Sequence, residues 1–157
     1  MNLKNRIYIG IITAVMTAGF VQWESSGKVI TQPYFDLAGI PTVCDGHTGN
    51  VDINRIYTPQ ECTDFRNQDI VKHLNGMLEC VEVPLKQHQV NAFTLFASNV
   101  GVNAFCNSKN TVVGPLNRGD YAAACDGLRR WVYVGKQRVQ GLVNRREFER
   151  KLCLGEL

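Results

Sequence analysis

The sequence has no CxxC pair, no HExxH helix, no GxSxG elbow and no glycine-rich phosphate loop closed by Gly-Lys-Ser/Thr. These absences exclude closely spaced zinc ligation, zinc-protease chemistry, the α/β-hydrolase nucleophile and P-loop phosphate binding. Surplus charge is also scarce. Lys and Arg number 17 against 14 Asp and Glu, a net of +3. No basic stripe interleaved with aromatics occurs, so nucleic acid is not expected as a partner. The mild positive balance suits an anionic envelope polymer. There are no internal repeats and no low-complexity tracts. What is present is 157 residues, 45% of them apolar, enough for one domain with a real core or for one domain and an anchor.

Long hydrophobic runs are missing but for one. Lys4 and Arg6 precede Ile7–Trp23, 17 residues without a formal charge. That length is at the short limit for a membrane helix. Gly10, Thr13, Thr17, Gly19 and Gln22 also make it weakly apolar. Three readings stay open: a cleaved signal peptide, a permanent anchor, and a marginal segment that enters the bilayer and later leaves it. The basic start predicts an N-in, C-out orientation. The expected division is a segment over 1–23 and a folded domain over 24–157.

The six cysteines are Cys44, Cys62, Cys80, Cys106, Cys125 and Cys153. An even, dispersed set reads as disulfides in an oxidising compartment. Local geometry suggests Cys44 with Cys62, Cys80 with Cys106, and Cys125 with Cys153, each joining neighbouring elements. A metal site at Cys44, Asp45 and His47 is not expected, because three donors on one hairpin tip do not converge without further partners. His73 and His88 lie on helices without ligand-like spacing. No cofactor is implied.

Beyond residue 50 the periodicity is helical. Thr58-Pro59-Gln60-Glu61 is a capping box with proline at the first helical position. Phe65, Ile70, Leu74, Met77 and Leu78 then recur at helical spacing to about Cys80. Pro84 opens a unit whose stripe of Val90, Phe93, Phe96, Ala97 and Val100 ends at a Gly101 cap. Residues 107–119 read as loop. Asp120 caps a helix through Trp131, Gly135 and Gly141 bracket a loop, and Leu142–Leu154 is the last helix, with Phe148 and Leu152 inward.

Within the stretch from Trp23 to Gly49, the string PYFDLAGIPTVCDGHTG, from Pro33 to Gly49, resembles the active-site hairpin of phage endolysins of the glycoside hydrolase 24, or phage-type lysozyme, family. That family's pattern is Glu, eight residues, Asp or Cys, five residues, Thr. Asp36 and Thr42 match its second half. GDYAAACDGLRRW and GLVNRREFERKLCL, near the C-terminus, resemble the same endolysins, most closely the signal-anchor-release subgroup. The resemblance implies an α+β, lysozyme-like fold with a small β-hairpin lobe, a larger helical lobe and an N-terminal apolar helix.

It further implies hydrolysis of the β-1,4 link between N-acetylmuramic acid and N-acetylglucosamine in peptidoglycan, with inversion. The enzyme would be a monomer, held at the host inner membrane by its N-terminal segment and then released into the periplasm. In that subgroup disulfide rearrangement is one activation device. With an even number of cysteines and no seventh to drive exchange, release by relocation is expected instead.

One departure stands out. Nine positions before Asp36, where the family has its general acid, this chain has Gly27. The nearest carboxylate is Glu24, with eleven residues between it and Asp36. Ser25-Ser26-Gly27 is a plausible helix stop, which would leave the three surplus residues in a loop. Glu24 would then be the acid, Asp36 would orient or deprotonate the attacking water, and Thr42 would help hold that water. His47 would border the substrate. Arg145 and Arg146 match the family's GLxxRR pattern, and one of them would pack its charge near the lobe junction. Other classes remain open. Gly27 would also suit a glycan-binding protein that has lost hydrolysis. A membrane-anchored structural or inhibitory protein on the same scaffold is a second alternative. A lytic transglycosylase, which could dispense with Asp36, is a third.

Overall fold

The computed structural model describes residues 14–24 and 28–157. Residues 1–13, which include the first part of the apolar segment, and the Ser25-Ser26-Gly27 stop lie outside the described residues. The chain is α+β and forms two compact units, whose boundary falls between Lys72 and His73.

The first unit begins with α1 (Ala14–Glu24). Met16, Gly19 and Phe20 are buried on it, at the i, i+3, i+4 spacing of one helix face. Strands β1 (Ile30–Phe35) and β2 (Pro41–Cys44) pair antiparallel, with Tyr34 opposite Thr42 and Phe35 opposite Pro41. The register shifts between Ile30 and Tyr34, where Pro33 has no N–H to give the ladder. A turn from Asp36 to Gly39 joins the strands; its last amide donates to the carbonyl of Asp36 (2.9 Å). Gly39 sits at φ 75°, the left-handed conformation such a hairpin turn needs.

Helix α2 (Pro59–Glu79) starts where the sequence places it. The Thr58 amide donates to Glu61 Oε2 (2.8 Å), and the Glu61 amide donates to Thr58 Oγ1 (3.2 Å). Val43, Cys44, Tyr57 and Cys62 form a small core against β2, with Val51 and Phe65 packed around it.

In the second unit, α3 (Gln87–Val100) is buried at every position from Gln89 to Ala97. It ends at Gly101 (φ 88°), as its sequence suggests. Short α4 (Val102–Cys106) follows. Val102 lies so close to Gly76 that a Cβ there would come within 2.7 Å of its side chain. Phe93, Phe96, Phe105 and Trp131 form an aromatic cluster with centroids 5.4–6.1 Å apart.

Three segments differ from the sequence reading. The expected loop at 107–119 contains α5 (Val113–Asn117), whose Val113 and Leu116 are buried. Its start is organised by Ser108, whose hydroxyl accepts from the Val113 amide (3.0 Å), a side-chain contact that propensity does not reveal. The helix begun at Asp120 is α6 (Tyr121–Gly127), and it tightens into a 3-10 turn over Leu128–Arg130 before Trp131. The Gly135 loop is a β-ribbon of β3 (Tyr133–Val134) and β4 (Gln137–Arg138). α7 (Gln140–Leu154) then starts two residues early.

Disulfides join Cys44 to Cys62, Cys80 to Cys106 and Cys125 to Cys153, the pairs that local geometry suggested. Each closes a loop of neighbouring elements within one unit, constraining the unfolded chain. Gly127 tests how tightly α6 packs. A Cβ on it would stand 1.7 Å from the Thr111 carbonyl oxygen, which cannot swing aside. Gly127→Ala is therefore expected to cost about 1–3 kcal/mol, read as a lower urea midpoint with an unchanged slope.

Candidate active site

Asp36 and Thr42 are held together by the backbone of one residue, Ile40. Asp36 Oδ1 accepts from the amides of Ala38 (2.8 Å) and Ile40 (2.9 Å). The Ile40 carbonyl in turn accepts from the Asp36 amide (3.0 Å) and from the Thr42 hydroxyl (2.9 Å). Ile40 thus fixes the carboxylate and the hydroxyl relative to each other through its backbone alone. Asp36 Oδ2 has no hydrogen-bond partner among the described residues. Thr42 is buried, and because it donates its proton to Ile40, its lone pairs stay available to a water.

A second set of contacts pins the hairpin to α2. Cys44 adopts φ 60°, a left-handed conformation costing about 1–2 kcal/mol for a residue with a Cβ. Together with Gly46 at φ 87° it turns the chain so that Val43 and His47 exchange backbone hydrogen bonds of 2.9 Å. The bend aims Cys44 at Cys62, Asp45 at Arg66 and His47 at Asp69, on successive turns of α2.

Asp45 and Arg66 form a buried ion pair, and Asp45 Oδ1 has no partner among the described residues. His47 Nδ1 lies 2.9 Å from Asp69 Oδ2, and Nε2 lies 2.9 Å from the Gly49 carbonyl. Its ring stacks on Phe65 at 4.2 Å and is nearly parallel to it. The structure therefore gives His47 internal partners on both ring nitrogens and on a face. Cys44, Asp45 and His47 are all engaged in this way. Among the described residues no group of three or more His, Cys, Asp or Glu is arranged to hold a metal.

Glu24 is the last residue of α1 and is half-buried. Gly27 lies outside the described residues. In the second unit, Arg145 and Arg146 are buried on α7, and with them Glu149. Arg145 donates through Nε to Glu149 (3.0 Å) and through Nη2 to the Leu95 carbonyl (3.0 Å). Arg146 donates to Glu149, to Asn99 and to the Trp131 carbonyl (3.1 Å), and its guanidinium lies 4.8 Å from the centre of the Phe96 ring. Burial pushes the Glu149 carboxyl above its ordinary range, against the pull of both guanidinium groups.

Phe148, expected inward, is only partly buried; the charged trio takes the inner face of α7. Sequence reading overlooked Ile40, Arg66, Asp69 and Glu149, and weighed Asp45 only as a metal donor. The i, i+3 and i+4 spacing of Arg145, Arg146 and Glu149 was a usable signal. Ile40 acts through its backbone and leaves none.

A family model described as phage lysozyme matches residues 22–149. The chain is 43% identical over 122 residues to the SAR-endolysin of Escherichia phage Mu, covering 78% of this chain and 70% of that one. It is 34% identical over 154 residues to the SAR-endolysin of Pseudomonas phage phiKMV, covering 96% and 92%. Among solved structures, a mutant of the P22 lysozyme superposes with a TM-score of 0.79 at 31% identity, over 91% of this chain and 97% of that one.

The pinning contacts can be tested separately. Arg66→Met strands a buried Asp45 and is expected to cost about 3–5 kcal/mol in urea unfolding. Glu61 is exposed, and the Arg55 guanidinium beside it, helped by the Thr58 amide, lowers its carboxyl from 4.5 to about 2. A depressed carboxyl stabilises the fold above its unfolded value and loses that effect as pH falls through its folded one. The stability gap between wild type and Glu61→Gln should thus be constant above pH 4.5 and close as pH approaches about 2.

Proposed function

The chain belongs to the phage lysozyme family, and we infer from that premise and from the hairpin that it is an endolysin. It is a muramidase that hydrolyses the β-1,4 bond between N-acetylmuramic acid and N-acetylglucosamine in peptidoglycan, and so lyses the host cell. Such hydrolysis takes a protonated carboxyl at the leaving oxygen and an ionised carboxylate opposite it.

Asp36 takes the second part. One of its oxygens is held by two amides, and the other is left to take a proton from water. That asymmetry is the observation that carries the reading. Thr42 accepts a hydrogen bond from the same water, at a position set by Ile40. Attack by a water held on this side gives inversion at the anomeric carbon. Glu24 supplies the proton to the leaving group; it closes α1 and is the nearest carboxylate before Asp36. His47, Arg145 and Arg146 serve by positioning the hairpin and the helices, because their polar atoms are engaged within the fold.

The enzyme is a monomer that begins tethered to the inner membrane by residues 1–23, N-in and C-out, with residues 24–157 in the periplasm. Its SAR-endolysin relatives and its disulfides support this reading. No helix of the described residues is long and apolar enough to cross a membrane. Instead Met16, Gly19 and Phe20 are packed as one face of α1, the arrangement expected after the segment has left the bilayer. Gly27 favours one other reading, a glycan-binding protein that no longer hydrolyses.

Turbidity clearing of permeabilised Gram-negative cells separates the two. Wild type should clear them. Asp36→Asn and Glu24→Gln should each slow clearing by about 10²–10⁴-fold while still binding purified sacculi. Clearing by Glu24→Gln at the wild-type rate would remove Glu24 as the acid. A disulfide-bonded wild type that binds sacculi without clearing would support the binding protein.

A further inference from the structure

The tip of the β1–β2 hairpin is apolar and faces solvent. Leu37 is fully exposed, and Phe35 (59%), Ile40 (45%) and Tyr34 (38%) are open around it. Between Lys28 and Asp45 the sequence carries one formal charge, Asp36. Turn geometry does not ask for this composition, since polar residues form such turns readily. A cluster of large apolar side chains left in water marks a contact surface.

The single charge does not spoil the patch. Asp36 Oδ1 is turned back onto the amides of Ala38 and Ile40, so half of the carboxylate is satisfied within the turn itself. The exposed groups are thus two aliphatic side chains, a phenyl ring and one phenol. Aliphatic groups partition into the acyl boundary, and aromatic rings with a polar edge settle at headgroup level. A sugar polymer would instead demand hydrogen-bonding side chains, of which the tip offers only the Tyr34 hydroxyl and Asp36.

Chain length makes the bilayer a reachable partner. β1 begins six residues after Glu24, so its start lies within about 20 Å of the end of α1 by any path. We propose that the hairpin tip, Tyr34 to Ile40, is a lipid-facing surface that rests in the bilayer interface while the chain is tethered. The proposal rests on the tethered reading given above. Its consequence is a second restraint on hydrolysis. Asp36 lies between Phe35 and Leu37, so seating the tip in lipid turns the carboxylate away from peptidoglycan until the chain is released.

Hydrogen exchange of the full-length chain, with and without vesicles of phosphatidylethanolamine and phosphatidylglycerol, tests this alongside flotation. Amides of residues 34–40 should exchange roughly fivefold more slowly on vesicles. The Phe35→Gln, Leu37→Gln double variant should lose that protection and still float through its N-terminal segment. A wild type that floats with unchanged exchange at 34–40 would overturn the lipid surface and leave the tether standing. A wild type that does not float would overturn both. Protection that rises with protein concentration without vesicles would reassign the tip to a second copy. Protection by a chitin oligosaccharide alone would reassign it to glycan.

Discussion

A two-stranded hairpin is marginal in water, and the carboxylate and hydroxyl proposed to hold the attacking water, Asp36 and Thr42, belong to one. Its attachment to α2 is therefore the constraint on which the site depends. The Cys44–Cys62 disulfide provides it covalently, and the Asp45–Arg66 pair and the stacked His47–Asp69 contact set the angle. The left-handed Cys44 is the cost of this arrangement. Without that bend the three side chains would alternate between the faces of a strand and could not all meet α2. With the base anchored, the Ile40 peptide can hold Asp36 and Thr42 at a fixed separation.

The helical unit follows a different logic. Its core is made by the aromatic cluster and by α3, buried from Gln89 to Ala97, yet α7 adds two arginines and a glutamate. Replacing such a trio by apolar groups often leaves stability unchanged or higher, whereas removing one member costs several kcal/mol, about 3–5. Its use here is directional. The guanidinium groups reach the carbonyls of Leu95 and Trp131 and the side chains of Ser98 and Asn99, fixing how α7 lies against α3 and the turn before β3. Leucines in the same places would fill the volume without setting that register.

Two features of the N-terminal half bear on the life in two environments proposed for this chain. The apolar segment is short and weakly apolar for an anchor, and Met16, Gly19 and Phe20 within it pack as an ordinary helix face. The hairpin, a few residues on, keeps apolar side chains in water that a permanently soluble enzyme has no reason to expose. Both suit a protein that starts at a membrane and does its work away from it.

Much of this was legible from residue order. The capping box at Thr58 and the Gly101 stop act through neighbours close in the chain, so local rules reached them; the six dispersed cysteines were legible through their even number and the order of the elements they join. The spacing from Asp36 to Thr42 was likewise visible, because a hairpin's register follows from its turn. What lay beyond reach were contacts between residues far apart in sequence and contacts made by backbone. Arg66 claiming Asp45 and Asp69 claiming His47 belong to the first kind. The Ile40 backbone joining Asp36 to Thr42 belongs to the second. The sequence by itself determined the long helices, the hairpin and the residue types that reach it. Only the tertiary structure decided which charges are spent inside the fold, because the partner of such a side chain is set by distance in space.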